Sequence, residues 1–326
     1  MNQPPESYTR VAPSVMTDFV VALACRAGMP EDKGRFLAGL LVDNDLRGVF
    51  SHGSRQIATY ARLMRDGKLN PDPHVRLVRD DDATLLVDGD GGLGYFASYR
   101  AAEEVVSRAK RYGIASAVTR HHGHFGAAGI YSRILASAGL IAYVTSGHQL
   151  ELAPGRSILE APGGSPMSFA VPAGDAPAMV LDFGAMHDLY PGSPHVPGLM
   201  ANTPGLVFRS LGLGYMCQAL GGFLAGVPLE EERAVKSHPG ANQGSLLVAI
   251  DVSRFLPPEQ FEREVRAYSE MVTQMEPLPG QSRSLVPGAL EAEREKEWRN
   301  SGIPVGDEHK RTLAEAAREF GLSLPF

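Results

Sequence analysis

This chain has little cysteine, no long apolar run and no block of basic charge. Its two cysteines, Cys25 and Cys217, are few for 326 residues. That usage speaks against a disulfide-stapled secreted fold and for a reducing compartment. Both lie in apolar stretches of helical character, Val-Ala-Leu-Ala-Cys and Met-Cys-Gln-Ala-Leu, and are expected to be buried free thiols. Glycine or polar residues break the apolar stretches well short of a membrane span, so no membrane partner is expected. The N-terminal Met-Asn-Gln-Pro-Pro-Glu-Ser has no basic segment followed by an apolar one. No signal peptide is therefore expected, and a cytoplasmic location is. The formal net charge is −6, with both signs mixed along the chain. Without an aromatic-plus-basic stripe, nucleic acid is not an expected partner. No internal repeat or low-complexity tract is visible.

What is present is the composition of a globular protein with a substantial core, 44% hydrophobic and 21% charged. The length suits two domains, or one domain with a large insertion. The first part reads as helical. Val15 to Ala27 forms one helix, and Phe36, Leu37, Leu40 and Leu41 mark the apolar face of a second, with Pro30 near its start. Ile57, Tyr60, Ala61 and Met64 follow helical spacing up to a stop at Gly67, and Pro71 and Pro73 mark a linker. Beyond residue 75 strands and helices alternate. Strands are predicted at Thr84 to Asp88, Ile114 to Thr119 and Leu140 to Thr145, with helices at Phe96 to Tyr112 and Ala127 to Ala138. Strands at Ser168 to Pro172 and Met179 to Phe183 flank a turn at Gly174-Asp175. Residues 187–205 read as a loop, and Ser210 to Gly226 as a Gly-rich apolar helix. A strand at Leu246 to Asp251 precedes helices at Pro258 to Met275, Leu290 to Arg299 and Glu308 to Phe320. This alternation predicts an α/β architecture with some parallel pairing.

Three segments carry residue types suited to chemistry. Gly89-Asp90-Gly91-Gly92-Leu93-Gly94 matches G-x-G-x-x-G between a predicted strand and a predicted helix, the context of a dinucleotide phosphate loop. The acid that should bind the ribose is missing at the end of the next strand, where Arg120 and His121 stand, so Arg120 suits only an NADP variant. The same glycines also serve as plain turn residues, and both readings stand. The second segment is Arg47-Gly48-Val49-Phe50-Ser51-His52-Gly53-Ser54-Arg55, between two helices. His52 titrates near neutrality and can give or take a proton, and the guanidiniums suit a carboxylate. A plain surface or capping loop is the alternative. The third segment is Arg120-His121-His122-Gly123-His124-Phe125-Gly126-Ala127-Ala128-Gly129, which follows a strand and precedes a helix, where α/β proteins place ligands. Its histidines match no helical i,i+4 ligand pair and have no acidic neighbour in sequence, so no metal is expected. One catalytic histidine, or a set of structural ones, remain as readings. No G-x-S-x-G occurs, so Ser51 is not read as a hydrolase nucleophile.

Taken together, the two histidine motifs resemble the malate/L-lactate dehydrogenase family of the second type. That family is unrelated to ordinary lactate dehydrogenases and includes ureidoglycolate, sulfolactate and 2,3-diketogulonate oxidoreductases and cyclic-imine carboxylate reductases. Asp45-Leu46-Arg47-Gly48-Val49 with Ser51-His52-Gly53 resembles its D-x-R-G-V-D-S-H-G. Val87-Asp88-Gly89 through Leu93-Gly94 resembles V-D-G-x-x-G-x-G, which is not a phosphate loop in that family. His124-Phe125-Gly126-Ala127-Ala128-Gly129 resembles H-F-G-x-A-G. Leu220 to Gly226 resembles its L-a-G-x-L-x-G helix. Val286-Pro287-Gly288 and Arg299 through Gly302-Ile303 resemble its C-terminal pattern.

The resemblance implies an α/β fold with a family-specific, non-Rossmann nucleotide-binding arrangement, a mixed sheet and an N-terminal helical subdomain. It divides the chain into a helical subdomain at residues 14–70, a substrate and dimerisation domain at 1–13, 71–125 and 286–326, and a cofactor-binding domain at 126–285. It implies a homodimer that moves hydride between NAD or NADP and a small-molecule carboxylate: a 2-oxo or 2-hydroxy acid, or a cyclic 2-imino acid. His52 and His124 are then the acid/base residues. Arg47, Ser51, Arg55 and Tyr60 hold the substrate, and Ser146, Ser165, Pro166, Asp182 and Arg209 face the cofactor. The departures from the family pattern cluster in the cofactor segments. Ser146-Gly147 stands for T-N-S, Gly164-Ser165-Pro166 for T-N-P, Asp182-Phe183-Gly184-Ala185-Met186 for D-M-A-T-S, and Arg209-Ser210 for Lys-Gly. The loop at 187–205 is shorter than usual, Phe50 replaces an acid, and Gln56 stands where an Arg is usual. Two alternatives follow. One is a member without nucleotide dependence that acts as an isomerase, lyase or cyclase by histidine proton transfer. The other is a non-catalytic binding protein on the same scaffold.

Overall fold

The computed structural model describes residues 4–234, 237–324 and 326. In chain order its elements begin with β1 (Tyr8–Val11), α1 (Pro13–Arg26), α2 (Glu31–Leu46), α3 (Ile57–Arg65), β2 (Arg76–Asp81) and β3 (Thr84–Asp88). Next come α4 (Gly94–Tyr112), β4 (Ile114–His122), α5 (Gly129–Ser137), β5 (Leu140–His148), β6 (Pro166–Val171) and β7 (Met179–Gly184). The chain ends with α6 (Val196–Asn202), α7 (Pro204–Cys217), β8 (Gln243–Asp251), α8 (Pro258–Thr273), α9 (Ala289–Ser301), β9 (Ile303–Gly306) and α10 (Asp307–Glu319). A π-helical segment, Gln218–Phe223, prolongs α7. Two compact units result, Met1–Pro73 with Gly288–Phe326, and His74–Pro287.

The first unit is built on helical stripes. Met16, Phe19, Val20, Leu23 and Ala24 recur at three- and four-residue spacing along α1 and are buried. Leu37, Ala38, Leu41 and Val42 do the same on α2, and Ile57, Tyr60, Ala61 and Met64 on α3. Each large side chain fully buried this way stabilises the fold by roughly 1.5–3 kcal/mol before entropy is counted. Cys25 corrects the expectation of two buried thiols: it is exposed, whereas Cys217 is buried. Its apolar sequence neighbours occupy the stripe, and Cys25 falls between its positions. β1 and β9 pair antiparallel, from Tyr8 opposite Gly306 to Val11 opposite Ile303, and so tie the N-terminal segment to the C-terminal one. Neither strand is legible in the sequence pattern.

The second unit is one seven-stranded sheet in the order β2-β3-β4-β8-β5-β6-β7. β3 and β4 run parallel and are joined through α4. The other neighbouring pairs among the described residues are antiparallel. This is a mixed sheet, not the parallel sheet of a Rossmann fold, and it carries the α/β architecture expected above. Its middle is the most buried part: Ala115 and Ala117 of β4, Leu247 and Ala249 of β8, and Leu140, Ala142 and Val144 of β5. α4 lays Ala101, Ala102, Val105 and Ala109 inward and packs on β4 and β8. The expected loop at 187–205 is partly helical: α6 spans Val196–Asn202, and α7 starts at Pro204, not at Ser210. Pro197 and Pro204 sit in the first turns of these helices, where the missing N–H has no intrahelical partner to lose. The sheet also runs through the boundary expected at 125/126, because β4 pairs with β8 and β8 with β5. No helix among the described residues is long and apolar enough to cross a membrane.

Candidate active site

In the first unit the end of α2 builds the loop that carries Ser51 and His52. The Gly48 N–H donates to the Asp45 carbonyl at 2.9 Å and the Val49 N–H to the Asn44 carbonyl at 2.8 Å. Two short 3₁₀ turns, Phe50–His52 and Ser54–Gln56, then lead into α3. The His52 N–H donates to the Val49 carbonyl at 3.0 Å, and Asn44 Nδ2 donates to the His52 carbonyl at 2.9 Å. Asp45 Oδ2 accepts the Ser54 N–H at 3.0 Å. Ser51 Oγ lies 2.9 Å from His52 Nδ1. Burial holds the His52 imidazole below its usual pKa, so it is neutral at neutral pH. Gly53 is required here by close approach: a side-chain carbon at this position would overlap the Asp45 carboxylate.

The other predicted substrate residues are engaged within the same unit. Arg47 Nε lies 2.9 Å from Glu295, an acid that also pairs with Arg299 at 2.6 Å. Arg55 Nη1 lies 2.8 Å from Glu308, in a more exposed pair. Tyr60 is only 1% exposed. Phe50 stacks on Trp298, with ring centroids 5.9 Å apart. A buried polar chain lies behind the loop and is not apparent in the sequence. Ser54 Oγ is 3.0 Å from His309 Nε2. Burial pushes the Asp45 carboxyl up to about 7, against the opposing pull of Ser54 and Arg55. Burial, aided by Arg55, pushes His309 down to about 4. Asn44 and His309 are the residues that sequence reasoning misses, and Ser54 stands in the predicted segment without a role. The one visible signal is a polar Asn-Asp pair closing an amphipathic helix.

In the second unit the glycine-rich turn and the histidine segment are laced together. The N–H groups of Gly89, Gly91 and Gly94 donate to the carbonyls of Arg120, His121 and His124 at 2.9, 2.9 and 3.0 Å. The Gly92 N–H donates to Gly89, and the Gly123 N–H donates back to Gly92. These amides are engaged by carbonyls, so the turn does not cradle a phosphate, and the tight-turn reading of G-x-G-x-x-G holds. Arg120 and His121, at 3.2 and 2.9 Å, pair with Asp88. Burial pushes the Asp88 carboxyl up, but the Asp90 N–H, His121 and Arg120 outweigh it and hold it below its usual value.

The three histidines thus separate into three environments. His121 faces Asp88. His122 is fully buried, with Nδ1 2.7 Å from the Gly123 carbonyl and Nε2 2.7 Å from Thr119 Oγ1. The carbonyl can only accept, so Nδ1 carries the proton and Nε2 accepts from the Thr119 hydroxyl. His124 is half-buried. Among the described residues no group of three or more His, Cys, Asp or Glu side chains is placed to share a metal ion. Close packing explains Gly94 as well. A Cβ there would lie 2.5 Å from His122 Nδ1 and 2.6 Å from the Phe125 Cβ. Gly94→Ala is therefore expected to lose about 1–3 kcal/mol in denaturant unfolding. Gly39→Ala, at an exposed mid-helix position with nothing within 4 Å, should be neutral or stabilising in the same assay. Equal stability of the two variants would contradict the packing assigned to Gly94.

The five predicted cofactor residues also lie in the second unit, in unequal settings. Ser146 of β5 is buried opposite Ser245 of β8. Ser165 is buried at a φ of 46°, and its hydroxyl donates to the Pro162 carbonyl at 2.5 Å. Pro166 opens β6 and Asp182 lies on β7, both half-buried. The space that a side chain at Gly129 would fill holds carboxylate Oδ2 of Asp182 and Nη1 of Arg133. This puts Asp182 at the N-terminus of α5, whose dipole favours a carboxylate. Arg209 is exposed on α7. Of the five side chains, Asp182 and Arg209 keep solvent access and chemistry that fit a ribose hydroxyl and a phosphate, while the Ser165 hydroxyl is already engaged.

The malate/L-lactate dehydrogenase family profile matches residues 11–186 and 199–314 of this chain. The malate dehydrogenase of Pyrococcus horikoshii is 26% identical, over 97% of this chain and 97% of its own length. The L-sulfolactate dehydrogenase of Methanocaldococcus jannaschii is 27% identical, over 94% and 95%. The solved structure of malate dehydrogenase from Pyrococcus horikoshii OT3 superposes with a TM-score of 0.82 at 26% identity, covering 98% of both chains. The chain belongs to the malate/L-lactate dehydrogenase family of oxidoreductases.

Proposed function

We propose that the chain interconverts a small 2-hydroxy acid and its 2-oxo acid, or reduces a cyclic 2-imino acid, with NAD or NADP. The observation that carries this reading is His52: an imidazole kept neutral by burial, with a hydroxyl at 2.9 Å, in a family of dehydrogenases. A bound nicotinamide nucleotide would supply the hydride acceptor or donor. The chain supplies the proton transfer. With Nδ1–H donating to Ser51 Oγ, the Nε2 lone pair of His52 takes the hydroxyl proton of a 2-hydroxy acid as its carbonyl forms. In the reductive direction the protonated ring returns that proton to oxygen or nitrogen. His124 is the second candidate for this role.

Arg55 suits the substrate carboxylate better than Arg47. An exposed ion pair such as Arg55–Glu308 is worth about 0–1 kcal/mol, so a ligand displaces Glu308 at little cost. Arg47 is held in a more buried cluster with Glu295 and Arg299. Ser51 sits beside His52 to orient the ligand, and the burial of Tyr60 suits it to support the helix behind them. On the second unit, Asp182 and Arg209 would contact the nucleotide, with Ser146, Ser165 and Pro166 shaping the wall behind it. Large exposed apolar side chains on and after α7, among them Phe208, Met216 and Leu224, suit a second copy of the chain, the homodimer the resemblance implies.

The test is a titration of purified protein with NADH and NADPH, followed by cofactor fluorescence, with light scattering on the same sample. Saturable binding of at least one nucleotide by a dimer is expected. Failure of both to bind, far above cellular concentrations, would sink the reading. The isomerase, lyase or cyclase alternative finds no support among the relatives above, which are dehydrogenases by name.

A further inference from the structure

We propose that the adjacent pair Asn44–Asp45, at the end of α2, positions His52 for proton transfer. This rests on the reading of His52 given above. The two side chains grip the peptides on either side of Gly53. Asn44 Nδ2 holds the His52 carbonyl at 2.9 Å, and Asp45 Oδ2 holds the Ser54 N–H at 3.0 Å. The same two residues take the Val49 and Gly48 N–H groups on their backbone carbonyls, so the turn into the loop and its exit are held by one helix end. With the His52 N–H on the Val49 carbonyl, both main-chain groups of His52 are fixed.

The cost of this arrangement shows where it acts. Asn44 and Asp45 are both fully buried, and Oδ1 of each has no hydrogen-bond partner. A buried carboxyl is costly to keep, and its hydrogen bonds here go to the Ser54 end of the loop. Asp45 presents no exposed surface for a substrate to touch. The groups that face it are the Ser54 hydroxyl, the Arg55 charge and, through Ser54, the His309 imidazole. Asp45 and Asn44 are therefore positioning residues, while His52 is the residue that moves the proton.

The experiment uses the full chain, with histidine rings isotopically labelled and His52 assigned by its loss in His52→Gln. The titration of the His52 ring is followed by NMR in Asn44→Ala, Asp45→Ala and Asp45→Asn. In Asn44→Ala and Asp45→Ala the loop loosens, the half-buried ring becomes more hydrated, and its pKa moves up toward the ordinary imidazole value. With NADH and oxaloacetate, or the acid that turns over best, kcat falls by about tenfold to a hundredfold while the KM for nucleotide stays unchanged. Asp45→Asn keeps an acceptor for the Ser54 N–H and restores both readouts most of the way. Where Asn44→Ala does not fold, Asn44→Leu, close in volume and lacking the amide, carries the same readout. A His52 titration identical to wild type in the folded variants overturns the proposal. So does an Asp45→Asn variant as impaired as Asp45→Ala. The NMR arm needs neither nucleotide nor substrate, so it decides the positioning even if wild type proves not to oxidise NADH, a failure that would count against the dehydrogenase reading instead.

Discussion

Replacing His52 with glutamine is expected to lower kcat by about a hundredfold to ten-thousandfold, the range for losing a positioned acid/base group. Glutamine keeps polarity and much of the volume, so the loss isolates the proton. Nucleotide affinity should not change, because none of the residues assigned to the nucleotide is altered. The rate should also carry a pH signature. In the oxidative direction the wild-type rate falls only as pH drops below the ordinary imidazole range, because burial keeps His52 neutral until then. That acid limb should vanish in His52→Gln. His124→Gln is the matched control. If His52→Gln leaves kcat within about twofold and His124→Gln abolishes turnover, the proton passes to His124 and the geometry at Ser51 is structural.

The second large effect concerns stability in acid. His122 is fully buried and held at about 4, well below the usual imidazole value, because burial disfavours the charged ring. Protonation would also turn Nε2 into a donor facing Thr119 Oγ1, which already shares a hydrogen bond at 2.6 Å with Ser245. The sign follows from proton counting. Between about pH 6.5 and 4 the unfolded chain binds a proton at this site and the folded chain does not, so stability falls as pH falls. The full contribution, present above the unfolded pKa, is on the order of 3 kcal/mol, and about 2 kcal/mol of it is lost between about pH 7 and 5. Urea unfolding at the two pH values measures it. His122→Gln should start less stable and lose less on acidification. An unchanged pH slope in that variant would mean that the ring titrates normally. His309, held at about 4, acts in the same direction in the first unit. Asp45, raised to about 7, opposes it: its contribution is complete below the ordinary carboxyl pKa and is lost as pH rises through 7. His122 is the cleaner test because it lies away from these two opposing groups.

What was legible in the sequence was what short-range periodicity can carry. The stripes of α1, α2 and α3, and the strands and helices from β3 to β5, follow directly from apolar spacing. β2 was not legible because Arg-Leu-Val-Arg-Asp-Asp is charged and largely exposed at the sheet edge, with no buried face to betray it. β1 and β9 were missed because each is four residues long and becomes a strand only by pairing with a segment at the other end of the chain. The candidate site divides the same way. Ser51 and His52 announce themselves as a motif. The hydrogen bond from Ser54 to His309 spans 255 positions, and no local pattern encodes it. Asp45 belongs to the motif that resembles the family's, but nothing in the local pattern shows that it and Asn44 are fully buried. The G-x-G-x-x-G match was legible but ambiguous. Only its hydrogen bonds to the carbonyls of Arg120, His121 and His124 separate a packing turn from a phosphate cradle.

Isotope transfer shows directly whether the chain moves hydride from a nicotinamide nucleotide to a small acid. Purified protein would be given NADH or NADPH deuterated at the transferred position, together with a panel of small 2-oxo acids and cyclic 2-imino acids, and the product read by mass spectrometry. Deuterium is expected on the former carbonyl or imine carbon of at least one product, with the rate of labelled-product formation falling about a hundredfold or more in His52→Gln. Turnover of a panel member with no nucleotide present, or a product that carries no label, would contradict it.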